Sequence, residues 1–242
     1  MTGSPAKLTA SGNPPARRAG FTLIELLVVV AIISLLIAII LPSQRNARQQ
    51  ARIVRAHADL RQITIALEGY ALDNRSKFPP TRSACGTDVN YQLPVELAEE
   101  KYLPVSPSKI PQAHFLDIFQ PEHTYKYRAP GPIWFNGSLF DFPDSEWRPR
   151  AKIWVPKDLP HCKSPEGQYY ANRDGEPRSP VDYAVWSVGP RPDSPKFPRF
   201  EGSESIDESR FPLPRAFWLA RSGDTGLITH FRTHTGLIHM SP

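Results

Sequence analysis

The hydrophobic pattern changes character twice along the chain. From Phe21 to Leu41 it reads FTLIELLVVVAIISLLIAIIL, 21 residues with one charge, Glu25. At ~1.5 Å per residue a helix of this length spans about 30 Å, the thickness of a bilayer's hydrocarbon core. Signal-peptide cores are shorter, about 7–15 apolar residues, and end at a small-residue cleavage site, which does not follow Leu41. Beyond Pro42 polarity returns while the helical period persists. Ile53, Ala56, Leu60, Ile63, Leu67 and Tyr70 are spaced 3, 4, 3, 4 and 3 and form one apolar stripe. Arg45, Arg48, Arg52 and Arg55 form a second stripe about 100° around the cylinder. Together these patterns predict a helix from Phe21 to about Asn74, bent at Pro42 and ended by Asp73, Asn74 and the Pro79-Pro80 pair.

From Pro79 onward the pattern breaks into short apolar runs between turn residues, and 23 of the 27 prolines lie there. The runs predict a short helix at Val95 to Lys101 and strands at Thr124 to Arg128, Lys152 to Val155, Phe217 to Ala220 and Gly226 to Phe231. TGLI occurs twice, at Thr225 to Ile228 and Thr235 to Ile238, and predicts a hairpin. The fold class expected is α+β, with a long amino-terminal helix, half membrane-spanning and half amphipathic, packed on a small antiparallel sheet.

Charge adds little to this picture. The net charge is +5, but Lys7, Arg17 and Arg18 precede Gly20, and the chain from Phe21 has 26 basic and 24 acidic residues. The arginine stripe has no interleaved aromatics, so nucleic acid is not expected as a partner; a solvated face beside anionic lipid headgroups is. The positive-inside rule does not orient the span, because four arginines follow it and three basic residues precede it. The cysteines, Cys85 and Cys162, stand 77 residues apart without a C-x-x-C partner. They could form a disulfide if exported and would be two thiols in cytosol.

Three further motifs carry candidate chemistry. HFRTHTG, from His230 to Gly236, has the spacing of half a zinc finger, but no cysteine pair stands upstream to complete a tetrahedron. His230, His234 and His239 are therefore expected as strand and turn residues. His161 and Cys162 are neighbours, which sends their side chains to opposite sides of an extended chain. With no G-x-S-x-G, H-E-x-x-H or phosphate-cradling loop present, the pattern does not describe an enzyme.

The amino end resembles the processing signal of type IV pilins and type II secretion pseudopilins. It has a basic leader ending in Gly20, then Phe21 as the first mature residue, Glu25 as the fifth and Pro42 as the twenty-second. The resemblance implies that a prepilin peptidase cuts between Gly20 and Phe21 and methylates the Phe21 amine. Glu25 then has a cationic partner, its own amine or a neighbouring copy's, and serves filament assembly. Ser34 stands where that family often has Gly. Farther along, Asp117 and Phe119 match the Asp and Trp of a loop in the major, G-type pseudopilins, without its Pro and Gly. Tyr125 and Tyr127 match its Tyr-x-Tyr strand, and DYAVWSVG matches its last strand with a Ser-x-Gly turn.

By that resemblance residues 1–20 are a leader, 21–42 a membrane and filament-core helix, and 43–78 an amphipathic helix. Residues 79–242 are then an exported β-rich domain with a Pro-rich insertion at about 130–181. G-type pseudopilins hold Ca²⁺ after the Ser-x-Gly strand; here Asp193, Glu201, Glu204, Asp207 and Glu208 follow it, with Asp193 and Asp207 the candidate ligands. Arg191, Lys196 and Arg199 interrupt them, and a solvated acidic loop is the favoured expectation. The function implied is a non-enzymatic subunit of a secretion pseudopilus in the bacterial inner membrane, amino end cytoplasmic. Its expected partners are prepilin peptidase, other subunits, membrane lipid, and a secretion platform with its ATPase. The alternatives are a type IV pilin for adhesion, motility or DNA uptake, or a membrane-anchored exported enzyme or binding domain. In the last case the groove would be lined by Trp134, Phe135, Phe140, Trp147 and Trp154.

Overall fold

The computed structural model describes residues 21–83, 91–104, 115–140, 152–194 and 210–242. The leader through Gly20, Cys85, Trp147 and the acidic residues from Glu201 to Glu208 lie outside them. Two compact units divide between Gln44 and Arg45. Helix α1, Leu23–Asp73, contributes to both.

In the first unit, α1 exposes every side chain from Phe21 to Leu41 and is long and apolar enough to cross a membrane. The Ser34 hydroxyl donates to the Val30 carbonyl at 2.7 Å, so this polar group needs no water.

In the second unit, Ile53, Ala56, Leu60, Ile63 and Leu67 are buried as their spacing predicts. They pack on Tyr125, Tyr127, Tyr183, Val185 and Ile228. Tyr125 precedes the first strand and the others come from an antiparallel sheet in the order β11-β10-β9-β4, formed by β4 (Lys126–Arg128), β9 (Val181–Ser187), β10 (Ile228–Thr233) and β11 (Ile238–Met240). β9 is buried at every position because both faces are covered. Tyr183 and Val185 face α1, whereas Ala184 meets Ile153, Val155, Cys162 and Phe231. The β9–β10 register skips Asp182, which is how Val181 joins the face of Ala184.

Around this sheet lie α2 (Glu96–Glu99), β1 (Thr81–Ser83), and two hairpins, β2 (Leu116–Asp117) with β3 (Gln120–Thr124) and β7 (Ile153–Pro156) with β8 (Gly167–Tyr170). β1 pairs in parallel with β5 (Ile133–Phe135), which pairs antiparallel with β6 (Ser138–Phe140). The segment 130–181 thus supplies β7, whose Ile153 and Val155 cover the sheet face opposite α1.

The structure corrects two details and shows the expected TGLI hairpin as β10 and β11. The run at Phe217 to Ala220 is no strand: Arg215–Phe217 is a 3₁₀ turn following Pro212 and Pro214, and only Trp218 bridges to Leu227. The predicted strand at Thr124 to Arg128 breaks at Tyr125, whose N–H donates to Phe115 instead of a sheet neighbour. The second TGLI spans the turn between β10 and β11, and the first leads into β10. At the end of α1, Ser76 N–H donates to the Ala71 carbonyl at 2.8 Å with Arg75 at φ 55, so a Schellman closure stops the helix before the prolines.

Polar pins cross the seam between α1 and the sheet. Tyr125 donates to Asp59 at 2.8 Å, Tyr183 donates to Glu68 at 2.9 Å, and Arg232 meets Glu68 at 3.0 Å. Burial first, then the neighbouring carboxylates, pushes both phenols well up, so they remain donors. His57 Nδ1 lies 3.1 Å from His230 Nε2. Burial first, then the charges of His57 and Arg61, pulls His230 from the usual 6.5 down to about 3, and burial lowers His57. The folded state therefore refuses protons that the unfolded chain takes up below 6.5. We predict that stability is constant above neutrality and falls by about 1–2 kcal/mol between pH 7 and pH 5. Denaturant melts across that range check this; His230→Gln flattens the slope.

Candidate assembly site

The amino end of α1 is built by two residues. Thr22 N–H and its hydroxyl both donate to Glu25 Oε2, at 2.8 and 2.7 Å, and Glu25 N–H faces the Thr22 hydroxyl at 3.3 Å. This reciprocal arrangement is a capping box. Glu25, expected from the sequence as a partner for an amine, is also a cap, and Thr22-x-x-Glu25 is the local signal for it. Glu25 thus sits one turn from Phe21, both exposed, with one carboxylate oxygen closing the helix.

A second constellation orders the second unit. Asp117, buried at the end of β2, accepts from Phe119 N–H at 2.9 Å, Ser187 Oγ at 2.8 Å and Val188 N–H at 3.0 Å. Burial pushes its carboxyl up, while the three hydrogen bonds and Lys126 pull it down. The matched loop and the Ser-x-Gly turn, 70 residues apart, thereby meet through one carboxylate. Ser187 also accepts from Gly189 N–H at 3.0 Å. Gly189 has φ +66, and a Cβ there would lie 1.9 Å from the Gly226 carbonyl oxygen. Phe119, in the Trp position, lies under Arg52, which also donates to the Ile118 carbonyl at 2.8 Å. All four arginines of the stripe are exposed, and Arg52 is in addition a loop anchor.

The other candidates separate. Asp193 is exposed in a turn, and Asp207 lies outside the described residues. Among the described residues no three or more His, Cys, Asp or Glu side chains come together as a metal set. Cys162 is a buried free thiol pushed up to about 12, first by burial and then by Asp158; Cys85, its suggested partner, is outside the description. His230 points from β10 toward α1, His239 stacks on Phe231 on the other face, and His234 sits in the turn. Trp134 and Phe135 belong to β5 and Phe140 to β6, while Trp154 is buried in another hairpin, so these aromatics do not line one groove.

The prokaryotic N-terminal methylation motif matches residues 15–41. The type II secretion system core protein G of Pseudomonas aeruginosa is 39% identical over 66 residues, 27% of this chain and 46% of that protein. The amino-terminal part of the chain is similar to that of type IV pilin-like proteins. Other relatives of this pilin-like chain are the core protein G of Dickeya chrysanthemi, 28% identical over 100 residues (41% of this chain, 59% of that one), and the type IV wide pilus major component of Thermus thermophilus, 44% identical over 57 residues (24% and 44%). The chain spans about half the length of the curated relatives it matches. No solved structure matches it.

Removing the Asp117 carboxylate strands two backbone N–H groups and the Ser187 hydroxyl. Asp117→Ala is expected to cost about 2–4 kcal/mol in a chemical melt. Gly189→Ala, which drives a methyl into backbone, should lose at least as much; wild-type stability in both would remove this constellation from the account.

Proposed function

We propose that this pilin-like chain is a structural subunit of a type II secretion pseudopilus. The observation that carries the proposal is the methylation motif at the head of a helix whose apolar surface no other described residue covers. Prepilin peptidase cuts between Gly20 and Phe21 and methylates the new amine. The subunit waits in the inner membrane, amino end cytoplasmic and domain outside, with lipid around Phe21 to Leu41. A secretion platform and its ATPase then feed it into a filament whose growth drives protein export. The chain itself catalyses no reaction.

Burial of a carboxylate in hydrocarbon is costly, about 2.5–3.5 kcal/mol at a helix centre. Glu25 has one oxygen on its own cap; the other oxygen is the natural acceptor for a neighbouring Phe21 amine. A docked subunit is favoured because it neutralises that charge. A pilus subunit is the second reading, supported by the Thermus relative and by the type IV major fimbrial protein of Dichelobacter nodosus, 41% identical over 56 residues.

Deleting the chain from its cell separates the two. A pseudopilus subunit leaves exoproteins trapped behind the outer membrane; wild-type chain restores export, and Glu25→Ala inserts in the membrane yet fails to restore it. Export left intact with surface fibres lost would replace the first reading by the second.

A further inference from the structure

The His57–His230 contact joins three parts of the fold, because its hydrogen bonds run in one direction. Pro242 has no N–H, so its backbone can only accept, and the hydrogen bond it shares with His57 uses an imidazole N–H. His57 Nδ1 faces His230, which puts that N–H on Nε2 and leaves Nδ1 as an acceptor. His230 Nε2 therefore carries its ring's proton and donates to His57 Nδ1 at 3.1 Å. The chain of donors runs from β10 through α1 to Pro242, just beyond β11. The remaining nitrogen, His230 Nδ1, is buried without a hydrogen-bond partner among the described residues.

Neither ring can take up a proton where it stands. On His230 the proton would sit at Nδ1, in a side chain 1% exposed, with no acceptor. On His57 it would sit at Nδ1 and point at the N–H of His230, donor against donor. The charges facing the pair add to the cost. α1 contributes Arg61, and the next residue on this face of β10 is Arg232, held by Glu68 and Asp182. β11 brings no charge to this side, since His239 stacks on Phe231 on the opposite one. Proton uptake therefore requires an element to move. The lightest cover is β11, an edge strand of three residues that exposes Ile238 and Met240, with Met240 directly opposite His230 in the register. Met240 and Ser241 also line a cleft with His57 and Arg61, so water already reaches this side of the strand.

We propose that the His57–His230 pair is an acid-released clasp that holds β11, Ser241 and Pro242 against α1. In the closed form burial first, then the charges of His57 and Arg61, holds His230 down at about 3 instead of the usual 6.5, and burial lowers His57. An opened ring regains its ordinary affinity for a proton. Opening is thus favoured below pH 6.5, by about tenfold per pH unit for each ring that takes up a proton. Release leaves β10 as the edge of the sheet and removes His239 from Phe231. It is a local event, distinct from loss of the whole fold.

Hydrogen exchange in the full chain in detergent micelles tests the clasp. Ser241 N–H donates to the Thr229 carbonyl at 2.8 Å and reports release of β11, while the amides of β9 report opening of the whole unit. After correction for intrinsic exchange, protection at Ser241 is expected to be lower than in β9 and to fall about 20-fold from pH 7 to pH 5. In His57→Gln/His230→Gln that fall should vanish. Long-range proton–nitrogen spectra of the wild-type chain at pH 7 supply a readout that needs no variant: both rings should be protonated at Nε2 alone. Protection at Ser241 equal to that of β9, protection unchanged between pH 7 and pH 5, a fall that persists in the variant, or either ring protonated at Nδ1 would each overturn the proposal.

Discussion

The seam between the carboxyl half of α1 and the β4-β9-β10 sheet is the contact on which the outer domain depends. Its middle is dry: Ile53, Leu60, Ile63 and Leu67 against Tyr125, Tyr127, Tyr183 and Val185. Burial of that apolar surface supplies the attraction, at roughly 25 cal/mol per Å². Attraction of this kind is not directional and would tolerate a slide of one helical turn. The pins prevent it. Asp59, Glu68 and His57 on α1 each find a specific partner on the sheet, and a slide would strand a buried phenol or carboxylate. Register along α1 is therefore set by hydrogen bonds, and adhesion by the hydrophobic effect.

That division explains how much of the fold the sequence discloses. Adhesion leaves a periodic trace, so the stripe from Ile53 to Leu67 can be found by counting. The end of α1 is legible as well, although the agent is a left-handed Arg75 rather than the prolines after it. Pins leave no such trace. His57 and His230 are 173 residues apart, and nothing local to either predicts the other. Asp117 was legible only as a match to a loop; its junction with Ser187 depends on how the strands pair. The mistaken strand at Phe217 has the same origin: four apolar residues satisfy the pattern, but flanking prolines turn the chain there.

The amino end obeys a different constraint. Its backbone is satisfied within the helix and its exposed surface from Phe21 to Leu41 is apolar apart from Thr22, Glu25 and Ser34, the pattern a nonpolar surrounding suits. Glu25 was legible as an anomaly in this setting. The capping box adds that the residue has a function before assembly, holding the first turn closed so that Phe21 leads the helix. On the function proposed above, the same carboxylate would serve twice, on its own Thr22 and toward an incoming amine. Under the proposed processing, the second function depends on where the mature chain begins.

The most direct measurement is therefore the mass of the membrane-bound form and of its first peptide. The account predicts a chain beginning at Phe21 and carrying a methylated amine. A mature protein that begins at any other residue, or keeps residues 1–20, would contradict it.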